Sequence, residues 1–110
     1  MEISDSTRIR ELNDAFRKNF SLGCAVLSVG VAALGSDKVE TLVRLVAAYD
    51  DFNPSNDPYG EGDFGAIELE GQRFFFKIDY FDKRLEFHSP DPSDPQVTTR
   101  VLTLMRAEEY

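Results

Sequence analysis

Ile9, Leu12, Phe16 and Phe20 recur at spacings of three, four and four, the stripe of a helix over residues 6–21. Ser6 or Thr7 can cap its start, and Gly23 stands where a chain leaves a helix. The apolar run CAVLSVGV, residues 24–31, fits a buried strand. Ser36 then caps a second helix with Asp37 in its first turn, and Val39, Leu42, Val43, Val46 and Tyr49 form its buried face. Beyond residue 65 the period changes to two. In GAIELEG, Ile67 and Leu69 point one way and Ala66, Glu68 and Glu70 the other. Gly71 connects this strand to QRFFFKIDYF, and Asp82-Lys83 connects that one to RLEFHS, a meander of three antiparallel strands. After the break SPDPSDP, Asp94-Pro95 reads as a helix start, with Val97, Val101, Leu104 and Met105 as the buried face. The order α-β-α-β-β-β-α predicts one α+β domain over residues 1–110, a mainly antiparallel sheet with helices packed on one face.

Composition narrows this reading. A chain of 110 residues with 42% hydrophobic side chains suits a single core. It has no apolar run of about 18 residues, so no membrane partner is expected, and its opening MEISDSTRIRE lacks the order of a secretory signal. The single cysteine, Cys24, lies in an apolar run, which predicts an inert core thiol and a cytoplasmic location. Net charge is −8, and residues 53–95 hold ten acidic and four basic side chains, −6 of that total. Such a field repels nucleic acid and attracts a basic protein surface.

The acidic stretch NDPYGEGDFG, residues 56–65, is the densest candidate for chemistry. It fails the calcium-loop template: a start at Asp51 puts Asn56 where Gly is needed and Gly62 where Glu is needed, and a start at Asp57 puts Tyr59 third. A looser divalent site drawn from Asp57, Glu61, Asp63 and Asp79 competes with plain turn chemistry, for which Asn, Asp, Pro and Gly are equally suited. G-E-G-D-F-G lacks the spacing and the Lys of a phosphate loop. His88 is the only imidazole and has no defined partner, so no catalytic residue and no cofactor is expected. Strand alternation puts Glu68, Glu70, Arg73, Phe75, Lys77, Asp79, Phe81, Glu86 and His88 on the face opposite the core, either a recognition patch or ordinary cross-strand pairing.

TRIRELND, GVAAL, NDPYGEGDFG, FKIDYFD, SPDP and RVLTLM together resemble an uncharacterised domain family of small, often plasmid-borne alphaproteobacterial proteins. The chain departs from the family pattern at Gly62, where a His is frequent, and at Phe76, where a Trp is. The resemblance brings no established activity, but the family's mobile-element company, which includes antirestriction genes, implies an anti-defence role. The expectation is a non-enzymatic acidic binding protein, an anti-CRISPR or antirestriction inhibitor presenting carboxylates to a nucleic-acid-binding defence complex. Its contact residues are expected to be Asp57, Tyr59, Glu61, Asp63, Glu68, Glu70, Phe75 and Asp79. The alternative is a small metal-dependent enzyme or ligand-binding domain built on the 56–65 loop and Asp79.

Overall fold

In the computed structural model, which describes residues 5–110, the first helix, α1, runs Asp5–Lys18 and buries Ile9 and Phe16 as its stripe requires. The helix is already under way at Asp5, so Ser6 and Thr7 lie inside it, and residues before its start are outside the described part. A 3-10 turn, Phe20–Leu22, leads to strand β1, Cys24–Leu27. Ser28 then accepts a hydrogen bond from the Val31 N–H and starts a one-turn helix, α2, Val29–Ala32. Helix α3, Ser36–Ala48, is entered through Gly35 at φ 90°, so Ser36 is its first residue and not the expected cap. Leu42 and Val46 are its fully buried positions.

Strands β2, Phe64–Leu69, and β3, Gln72–Phe81, form the expected hairpin. Glu70 at φ 53° and Gly71 at φ 77° make its two-residue turn, the primed geometry that matches strand twist. Strand β4, Thr99–Arg106, pairs antiparallel with β3 and parallel with β1, giving the order β1-β4-β3-β2. One sheet face carries Ile67, Phe74, Phe76, Ile78, Tyr80, Leu102 and Leu104 into a core shared with Phe16, Val31, Leu42 and Val46 from the helices. The burial of Phe74, Phe76 and Ile78 follows the alternation read from the sequence.

Four expectations are corrected. The run 24–31 is not one strand, because Ser28 caps a helical turn within it. RLEFHS is not a third meander strand: Leu85 takes φ 60°, Phe87 is exposed, and a single bridge joins His88 to Phe81. The last helix is instead strand β4, so the sheet is mixed and one of its two central strands is the fourth in chain order. Cys24 is exposed rather than core, because β1 is an edge strand.

Candidate functional site: an acidic cleft held by a buried polar network

The acidic loop is an ordered connection between α3 and β2. Asn53 Oδ1 accepts from the Ser55 and Asn56 N–H groups, and Asn56 Oδ1 accepts in return from the Asn53 N–H. Asp57 is turned inward, where its carboxylate accepts from the Glu61 N–H at 3.0 Å and the Gly62 N–H at 3.1 Å. Gly62 takes φ 65°, and a Cβ there would meet Arg10 Cδ at 2.7 Å. Arg10 therefore lies directly on the loop, 3.6 Å from Asp57 and 4.4 Å from the Phe52 ring centre. Arg17 does the same for the end of α3, donating to the Val46 and Tyr49 carbonyls and pairing with Asp14.

Below the loop, Asn13 sits fully buried on α1. Its Nδ2 donates to the Glu61 carbonyl at 3.0 Å and to Tyr80 Oη at 2.8 Å, and its Oδ1 accepts from Arg100 Nε at 2.7 Å. Tyr80 Oη donates in turn to Glu61 Oε1 at 3.0 Å. Arg100 Nη2 donates to the Pro92 carbonyl, so the network ties α1, β3, β4 and both long loops together. Burial pushes the Tyr80 phenol well above its ordinary range and pulls the Arg100 guanidinium below its own, with Tyr80 and Glu61 partly opposing the latter.

Past the Phe64 end of β2 the Asp63 carbonyl still accepts from the Ile78 N–H of β3, and the chain returns to β3 at the His88–Phe81 bridge. Between these points opens a cleft of about 300 Å³, lined by Asp63, Ile78, Asp79, Tyr80, Phe81 and His88. Burial raises the Asp63 carboxyl above its ordinary range, and the charges of Glu61, Asp57 and Asp79 add to the rise. Asp79 has a cation at hand in Lys77, 3.0 Å away. The His88 ring stands edge-on to Tyr80 at 6.3 Å between centres.

The structure thus sorts the expected contact residues. Asp63 and Asp79 meet in the cleft, with Glu61 beside them but engaged by Tyr80. Asp57 is spent on the loop's own backbone, and Tyr59 projects into solvent at the loop tip. Glu68 lies opposite Arg73, and Glu70 pairs with Lys38 at 2.8 Å. Phe75 lies on the face away from the core under the rings of Phe64 and Tyr110, at 5.1 and 5.6 Å. Asn13 and Arg100 were missed by sequence reasoning. The available signal was Asn13 at the i+4 position from Ile9, a polar residue inside an apolar stripe. Asp57 and Glu61 are committed to other partners, and no group of three or more His, Cys, Asp or Glu among the described residues is disposed to hold a metal ion. No helix among them is long and apolar enough to cross a membrane.

Fold and cleft together define a small α+β domain with a mixed four-stranded sheet, a buried polar network at one end, and an acidic opening beside it. The chain belongs to the family described as "Protein of unknown function (DUF3768)", whose model matches residues 27–109, from the end of β1 to the 3-10 turn Ala107–Glu109 that follows β4. No curated protein and no solved structure matches it.

Proposed function

We propose that this protein is a non-enzymatic acidic binding domain whose cleft receives a cationic side chain from a basic protein surface that otherwise holds nucleic acid. The observation that carries the reading is the concentration of negative charge around Asp63, whose partly buried carboxyl lines the same opening as Asp79. An incoming guanidinium or ammonium supplies the missing positive charge, and Phe81, Tyr80 and His88 offer it ring surface. The net −6 of residues 53–95 steers such a partner toward this end of the molecule. An inhibitor of a nucleic-acid-binding defence complex, of the anti-CRISPR or antirestriction kind, is the biological form we propose for this activity.

The test starts from an arginine-rich peptide titrated into the protein by NMR. Chemical shifts should move at Asp63, Asp79 and Phe81, and Asp63→Asn with Asp79→Asn should weaken binding at least tenfold. Raising salt to about 0.5 M should weaken the wild-type interaction in the same direction. Binding that ignores both salt and the substitutions would move the contact to the rings around Phe75 and overturn the reading. A physiological partner recovered through the cleft should be displaced by duplex DNA. A partner indifferent to DNA would remove the nucleic-acid part of the proposal.

A further inference from the structure

From Asn19 to Gly35 the chain carries no charged side chain, although 29% of its residues are charged. Only part of this stretch is interior: Val31 is buried, but Cys24, Ala25, Val26 and Leu27 are all exposed, and Val29 is 86% exposed. β1 is one edge of the sheet, with no strand beyond it among the described residues. The Ser28 N–H donates to the Leu104 carbonyl, which fixes the backbone phase of β1. Residues 24, 26 and 28 turn their N–H and C=O groups toward β4, so Ala25 and Leu27 turn theirs outward. Native sheets protect such edges with a charge, a proline or a bulge, and β1 carries no charge and no proline.

We propose that this edge is a homodimer interface, in which β1 pairs antiparallel with β1 of a second copy across a two-fold axis at Val26. Ala25 and Leu27 of each copy then exchange N–H···O=C bonds with Leu27 and Ala25 of the other, four bonds joining two four-stranded sheets into one of eight. An antiparallel edge is its own complement, which makes a second copy the natural occupant. Charge argues for the same choice. Each copy carries −8, and two copies can approach through an edge strand that carries no charge of its own. The β2 edge is three strand spacings from β1, about 14 Å. That exceeds the screening length of about 10 Å at 0.1 M salt. Glu109 does reach the end of β1, but its carboxylate is taken up by Ser28 Oγ, the Gly30 N–H and the Arg106 N–H. Leu22 and Val29, both exposed, flank the new ladder and extend the apolar contact. The acidic cleft stays open in this arrangement.

The two-fold places Val26 opposite Val26 of the second copy as a non-hydrogen-bonded pair, with Cα atoms about 4.5 Å apart. That spacing is within disulfide range. Cys24 falls opposite Ser28 and lies about 14 Å along the ladder from the other Cys24. Two measurements test this. In sedimentation velocity over a hundredfold concentration range, the mass should rise from 12.4 kDa toward twice that value. Val26→Glu, which sets two carboxylates face to face, should weaken the dimer at least tenfold while leaving the circular dichroism spectrum unchanged. Separately, Cys24→Ser with Val26→Cys should form a disulfide-linked dimer under mild oxidation much faster than the wild-type thiol does, a readout that stands even if Val26→Glu misfolds. A monomer at every concentration, a dimer unmoved by Val26→Glu, or faster cross-linking through Cys24 would each overturn the proposal.

Discussion

The two edges of the sheet are finished in opposite ways. At the β2 edge, Glu68 faces Arg73, Glu70 pairs with Lys38, and the loop leading into the strand is fastened by Asp57, Arg10 and Asn13. Side chains there find partners inside the molecule, down to the fully buried Asn13. At the β1 edge the chain spends no charge, and the outward backbone groups of Ala25 and Leu27 meet no strand among the described residues. The first edge gets its definition from satisfied polar groups, which in a low-dielectric interior are expensive to break. The second is defined only by its pairing with β4, and it remains available.

If that contrast holds, substitutions at the two ends should differ most at Asn13. Asn13→Leu keeps the size but leaves Tyr80 Oη, the Glu61 carbonyl and Arg100 Nε each short of a partner. It should cost about 3 kcal/mol by urea denaturation. A loss under about 1 kcal/mol would mean that water replaces the side chain. Asp57→Ala removes the acceptor for two loop N–H groups and the partner of Arg10, and should cost about 2 kcal/mol. Hydrogen exchange should quicken at Glu61 and Gly62, and unchanged protection there would show that the glycine-rich backbone holds the loop alone.

A smaller effect of opposite sign is expected at Asp63. Its folded carboxyl titrates above the ordinary value of 3.8, so between that value and the raised one the native state binds the extra proton. This group's contribution to stability therefore falls as pH rises through that window, and the deficit is complete above it. Asp63→Asn should raise the urea midpoint at neutral pH, with the gain vanishing below about pH 3. A variant that is destabilised at neutral pH would show that the Asp63 carboxylate is a structural acceptor. At the β1 edge, Val26→Thr should change the unfolding free energy of dilute protein by less than about 0.5 kcal/mol. A larger loss would mean that the edge is packed by the molecule itself.

Much of the fold was legible because periodicity and burial agreed. The stripe of Ile9 and Phe16 gave α1, and the alternation of Phe74, Phe76 and Ile78 gave β3. β4 was not legible, for two physical reasons. Arg100 and Arg106 occupy inward positions at its ends, so charge falls where alternation should show apolar residues, while Val101, Leu104 and Met105 mimic helical spacing. Asp94 does begin a turn, accepting from the Gln96 and Val97 N–H groups, but the turn does not propagate into a helix. In the site, Asp63 and Asp79 could be named from residue type and position. The role of Asn13 could not, because Glu61, Tyr80 and Arg100 lie far along the chain and only tertiary packing brings them to it.

The parallel pairing of β1 with β4 has a kinetic consequence. Cys24 meets Val101 only by closing most of the chain into one loop, and β4, the last strand made, is the one that β1 and β3 both need. Closing such a loop costs entropy before any contact across it is gained, so topology of this kind slows folding. During synthesis, the helices and the β2–β3 hairpin emerge with one flank of β3 bare and β1 without a neighbour. The nascent chain therefore spends its wait for β4 with the strand edges that β4 will cover still open, an interval in which open edges favour aggregation.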